Sequence, residues 1–128
     1  MALSQSGMIK AMTSLAPALI HSWHAHLYFD ADGRDAAWAL REAAQAELAA
    51  WVQVGRFHEH PVGPHPIGSS QLAFAAEHLA PVLGWLVLNH GDVDVFIHPN
   101  TGDDLRDHRV GALWLGRCHR LNLVALGA

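Results

Sequence analysis

The chain has 128 residues, 51% hydrophobic and 16% charged, which is enough to fill one core and too short for two. Eight basic against twelve acidic residues leave a net charge of −4, and without a basic run the phosphate-driven binding of nucleic acid or anionic membrane is not expected. A single cysteine, Cys118, excludes an internal disulfide framework and fits a reducing compartment.

Eleven histidines are conspicuous where an even share among residue types would be roughly six. Near the start, the apolar residues 11–20 follow Lys10, a stretch too short for a bilayer span, which takes about 20 apolar residues. Pro17 interrupts it and residues 1–5 carry no basic side chain, which argues against a signal peptide. Residues 1–19 are therefore read as a lead-in and 20–128 as a single domain of a cytoplasmic protein.

Residues 22–29 alternate, with Trp23, Ala25, Leu27 and Phe29 apolar and His24, His26 and Tyr28 polar-capable between them. Period two is a strand with one core face. Residues 34–52 lack Gly and Pro and place Ala37, Leu40, Ala44, Leu48 and Trp51 on one stripe, which predicts a helix of about five turns. Residues 54–60 read as a second strand, with Arg56, His58 and His60 alternating against Gly55, Phe57 and Glu59.

Three prolines and two glycines within residues 61–68 make a stiff loop. A third strand is expected over 71–77, a second helix over 79–88 with Pro81 in its first turn, and a fourth strand over 93–98. The segment after Pro99 shows no clear period, and residues 100–108 are dense in side chains that bond to backbone, the signature of a capped turn.

The order βαββαβ is the split-βαβ, ferredoxin-like arrangement of an α+β protein, with an antiparallel sheet whose first strand lies between the third and fourth. Helices cover one face. The other face is left to a second copy, as in a dimeric α+β barrel, or to a lined cavity.

If the apolar positions face the helices, the open face receives His24, His26 and Tyr28 from the first strand and Arg56, His58 and His60 from the second. The third contributes Gln71 and Glu77 beside the small Ala73 and Ala75, and the fourth Asp94, Phe96 and His98. Antiparallel pairing brings His98 to His24, and Glu77 is expected at the same end of the sheet. Imidazoles at i and i+2 on a strand project in parallel and can share one ion. Two histidines with a carboxylate leave open positions, the arrangement of non-heme Fe(II) oxygenases.

Each assignment has a plainer counterpart. A His-X-His pair on a strand is also two half-exposed polar residues, and Glu77 is also a solvated strand end. His58 is either a general base or a hydrogen-bonded wall residue. His65, held between Pro64 and Pro66, has a rigidity beyond what a turn requires, which favours a functional role. His21, His78, His90 and His119 fall at element ends and read as surface or capping residues. The five tryptophans read as core or interface filling.

Four blocks occur in order: residues 23–30 (WHAHLYFD), 63–66 (GPHP), 98–108 (HPNTGDDLRDH) and 112–116 (ALWLG). Together they resemble the DOPA 4,5-dioxygenase family, over about residues 20–126. The resemblance implies a dimeric, ferredoxin-like fold and extradiol cleavage of a catechol such as DOPA, with O2 and a non-heme Fe(II). By motif position it carries over His24, His26, His65 and His98 as metal or active-site candidates, with His108 behind them.

The expected site is then His24, His26, His98 and Glu77 around the metal. An uncoordinated histidine, His65 before His58, would take a catechol proton and return one as the ring opens. Zn(II) also suits such ligands. Two other readings remain open: a dimeric α+β-barrel monooxygenase, and a small-molecule or metal-binding protein without turnover.

Overall fold

The computed structural model describes residues 12–128, so most of the lead-in expected over 1–19 lies outside the described residues. A short 3-10 turn, Pro17–Leu19, precedes β1, Ser22–Phe29. The odd positions of β1 enter the core and the even ones face away from the helices, as the alternation requires.

Helix α1, Arg34–Glu47, buries Ala37, Leu40 and Ala44. It stops short of the predicted end at residue 52 although Leu48-Ala49-Ala50 favour helix. Tertiary packing overrides propensity here. Leu48 and Val52 both enter the core, and the carbonyl of Leu48 accepts from the amides of Trp51 and Val52, turning the chain into β2. Trp51, expected on the helix stripe, lies 40% exposed in that turn.

Strand β2, Val52–His58, carries a bulge. Val54 pairs with Leu72 and Phe57 with Ser70, with a register shift between them, so β2 holds one extra residue. The bulge reverses the parity of the strand. Val54 and Phe57 both pack against the core, and His58 is delivered to the opposite face. Arg41 on α1 donates from Nη2 to the half-buried carbonyl of Gly55 at 2.8 Å, satisfying a backbone oxygen beside the bulge.

Strand β3 spans Gly68–Ala75, followed by a 3-10 turn over Ala76–His78 and helix α2, Leu79–Asn89. Strand β4 covers Asp94–Asn100, the one-turn helix α3 Asp104–Asp107, β5 Leu113–Leu115, and a last 3-10 turn Leu123–Leu126. The sheet order is β2-β3-β1-β4-β5 with every pairing antiparallel. The ferredoxin-like α+β topology is thus extended by β5 at one edge. No helix among the described residues is long and apolar enough to cross a membrane.

The face away from the helices is covered by the chain itself. The proline-rich loop arches over one half, and its Pro64 carbonyl accepts from the Asn122 amide at 2.8 Å. Trp114 on β5 packs against Phe96 with ring centres 4.7 Å apart, and Phe96 is fully enclosed. A lined cavity, one of the two outcomes expected for this face, is present within the single chain.

Gly68 sits opposite Phe29, and a Cβ there would come within 2.5 Å of the Phe29 ring, which is stacked on Phe57 at 4.3 Å. Gly68→Ala should therefore destabilise the fold by about 1–3 kcal/mol. Adding Phe29→Leu should cost less than the two single changes summed, and a denaturant-unfolding double-mutant cycle reads that coupling.

Candidate metal centre

The register of β1 on β4 sets His24 directly opposite His98 and His26 opposite Phe96. Side chains on one face of an antiparallel pair meet across the strands. The imidazoles of His24, His26 and His98 accordingly converge, with one nitrogen from each within 4.8 Å of the others. His26 Nε2 lies 3.1 Å from His98 Nε2, close to the roughly 3 Å separating two nitrogens bound at right angles to one ion.

The tautomer of His98 follows from its second contact. Its Nδ1 is 2.9 Å from the carbonyl of Pro99, which can only accept, so Nδ1 carries the proton and Nε2 presents a lone pair. That backbone contact is the usual outer partner of a metal-binding imidazole.

Burial and mutual repulsion keep these rings neutral. Desolvation, then the proximity of His65, His98 and His24, drives His26 well below the ordinary histidine value. Desolvation lowers His98 to about 4, opposed by its contact to Pro99 and reinforced by His108 and His24. His24 is lowered by burial and by His108, with Asp104 opposing. Neutral imidazole is the form that binds a metal. Three neutral nitrogen donors converging from two strands therefore fit a transition-metal ion, with positions left for other ligands.

Glu77 is not brought to this group. Strand β3 ends at Ala75, and Glu77 falls in the following 3-10 turn, exposed. The expected carboxylate was placed by continuing the strand two residues too far.

His65 arrives from the loop. A tight turn from Val62 to His65, closed by the His65 amide on the Val62 carbonyl at 3.0 Å, uses Gly63 at φ +55°, a conformation that favours glycine. The turn lays the His65 ring 4.1 Å from that of His26, and His65 Nδ1 meets the Tyr28 hydroxyl at 2.7 Å. Burial, then His108, His58 and His24, lowers His65 to about 4. Desolvation raises the Tyr28 phenol, so it stays protonated. His58, paired with Ser69 across β2 and β3, lines a cavity of about 230 Å³ with His26, His65, Ser69 and Gln71.

The polar stretch after β4 is the capped turn that was expected, and it also builds the site. Asp103 accepts from the Arg106 amide at 3.1 Å. The fully buried Asp107 accepts from the amide and hydroxyl of Thr101 at 2.8 and 2.7 Å. His108, next in sequence, donates from Nδ1 to the Asp104 carbonyl at 2.7 Å and packs on His98 with ring centres 3.9 Å apart.

Two residues of this face escaped the sequence reading. Trp114 was assigned to filling, yet it caps Phe96 and Tyr28. His119 was assigned to the surface, yet its Nε2 lies 2.7 Å from Asp94 Oδ2. Burial would raise the Asp94 carboxyl, but the Arg117 amide and His119 outweigh it and hold it below the ordinary range. The alternation of β4 had turned Asp94 to this face, which was the available signal that something must pair with it.

Residues 23–125 match the model of the Dopa 4,5-dioxygenase family. The chain is 36% identical over 114 residues to a DOPA 4,5-dioxygenase of Amanita muscaria, covering 84% of this chain and 50% of that protein. It is 35% identical over 80 residues to an uncharacterised 21.2 kDa protein of Botryotinia fuckeliana, covering 56% and 44%. The chain thus spans about half the length of the curated relatives it matches. A crystal structure from Nostoc punctiforme, described as a candidate dioxygenase, superposes with a TM-score of 0.82 at 42% identity, covering 89% of this chain and 97% of that one.

The depressed histidines predict a signed pH dependence for the metal-free chain. Unfolded histidines take up protons near 6.5, whereas folded His65 and His98 do so only near 4. Between those values the unfolded state binds more protons, so stability rises with pH through this window and is lost as pH falls through it. Denaturant midpoints measured from pH 4 to 7 should climb, and His65→Phe should flatten the climb.

Proposed function

Taking as premise that this chain belongs to the Dopa 4,5-dioxygenase family, we propose that it opens a catechol ring by extradiol cleavage with O2, at a non-heme Fe(II). The observation that carries this reading is the convergence of three neutral imidazoles, His24, His26 and His98, of which His26 also lines a cavity shared with His65, a fourth histidine outside that group.

His24, His26 and His98 would hold the metal, and Glu77 has no part in the proposal. Bound there, a ferrous ion would supply charge stabilisation for the catechol and redox chemistry for O2. The same nitrogen set suits Zn(II), a substitute to be expected in protein prepared without added iron.

The chain's own residues supply the rest. His65 is neutral near pH 7, as a proton acceptor must be. In the tautomer with Nδ1–H donating to the Tyr28 oxygen, its Nε2 is free to take a catechol proton, and the same contact then steadies the imidazolium. Tyr28 fixes the orientation of His65, and the Asn122–Pro64 contact holds the loop that carries it. Phe96 and Trp114 keep the adjoining face apolar and poor in water.

The test is anaerobic reconstitution with Fe(II), followed by substituted catechols in air and observation of the yellow ring-opened product. His98→Ala should weaken metal binding by about 10- to 100-fold or more, read by metal analysis. His65→Gln should retain the metal and lose about 100-fold or more in turnover. Metal bound with no product from any catechol would leave a metal-binding protein without this activity. Turnover that survives chelation would favour a monooxygenase without metal.

A further inference from the structure

His119 has no part in the proposed reaction, yet several features of the chain combine to place it. Asp94 pairs with Tyr28 across β4 and β1, and its carboxylate takes hold of the segment after β5 at two points. Oδ1 accepts from the Arg117 amide at 2.9 Å, and Oδ2 from His119 Nε2 at 2.7 Å. Gly116 permits this approach, with φ at +80° and no room for a Cβ, which would collide with Asp94 Oδ1. Because a carboxylate can only accept, His119 carries a proton on Nε2 and its ring is held in one orientation.

The ring so held meets Tyr28. Their centres lie 5.3 Å apart with the planes at 80°, a favoured edge-to-face geometry. Trp114 stacks on His119 at 5.7 Å and meets Tyr28 in the same way, at 5.6 Å and 74°. The two rings form one surface against which the buried Tyr28 stands. At its far end the Tyr28 hydroxyl lies 2.7 Å from His65 Nδ1. Such a hydrogen bond is directional, so the tilt of the Tyr28 ring decides whether it forms.

Resting on the base role proposed above for His65, we infer that His119 is a positioning residue for the ring-opening reaction. Aimed by Asp94, its ring holds Tyr28 where the phenol oxygen accepts from His65 Nδ1–H. That contact keeps the lone pair on Nε2, the nitrogen that takes the catechol proton. An imidazole released from it can carry its proton on either nitrogen, and the Nε2–H form cannot act as the acceptor. A purely structural latch would need the Asp94 contact and no ring.

His119→Gln separates these roles, since its amide nitrogen can replace Nε2 on Asp94 while the ring is lost. In the zinc-loaded protein, long-range proton–nitrogen NMR spectra read the tautomer of His65, which should pass from Nδ1–H to a mixture. With Fe(II) and DOPA in air, kcat should fall about tenfold while KM and metal content stay unchanged. In a Tyr28→Phe background the same change should cost nothing further, because the intermediary is already gone. Asp94→Asn keeps the shape of the latch and weakens its hold. It should move both readouts the same way by less, and serves if His119→Gln does not fold.

An unchanged His65 tautomer in His119→Gln, or full turnover, reduces His119 to a latch and overturns the inference even if ring cleavage occurs. An equal loss in the Tyr28→Phe background overturns it as well. His65 in the Nε2–H form in the unaltered protein overturns both the inference and the base role. A shifted tautomer with no ring-opened product from any catechol upholds the action of His119 on His65 and removes the extradiol reading.

Discussion

The whole arrangement depends on the register of one strand pair. Antiparallel pairing of β1 with β4 places His24 opposite His98, and the period of two places His26 on the same face. A slip of β1 by one residue would turn His24 and His26 into the core, away from His98, and send Ala25 and Leu27 outward. The apolar side chains of the same two strands therefore guard the site: the hydrophobic face and the histidine face are two consequences of one alignment. A metal group built on the central strands of a sheet is also held more stiffly than one carried by loops.

What surrounds the register explains why these rings stay neutral. Loop, α3, β5 and the following segment close over the open face, so that His26, His65 and His98 are nearly withdrawn from water. In that environment a charged imidazole is penalised by desolvation and by its neighbours. The covering segments are themselves held by polar contacts of high local cost if broken. Asp107 joins α3 to the end of β4, Asp94 joins the chain around residues 117–119 to β4, and Asn122 joins the tail to the loop. Each leaves a buried acceptor or donor unsatisfied when its partner is removed, a loss of about 1–3 kcal/mol or more for the charged ones.

Much of this was legible in the residues. Strict alternation in β1 and β4 gave the faces, and the βαββαβ order gave the neighbours; from these alone the meeting of His24, His26 and His98 follows. The parts that were not legible share a physical reason. Glu77 was misplaced because Ala75 and Ala76 carry no signal that ends a strand. Helix α1 was drawn too long because Leu48-Ala49-Ala50 favour helix while the core needs Leu48 and Val52 on one side of a turn. Trp114 and His119 lie where short elements are stabilised by what they touch rather than by their own periodicity, and no local pattern records that.

His58 shows how a correct assignment can rest on an incomplete premise. Simple alternation from Val54 would place Val54 and His58 on the same face, yet Val54 is packed in the core and His58 lines the cavity. The extra residue between Val54 and Phe57 separates them. Arg41 satisfies the Gly55 carbonyl beside that bulge, so a side chain on the helix layer supports the backbone geometry that turns His58 to the far side of the sheet. The cavity wall is thus coupled to the helix-covered layer through one backbone oxygen, and its chemistry depends on a contact that no residue of the cavity makes.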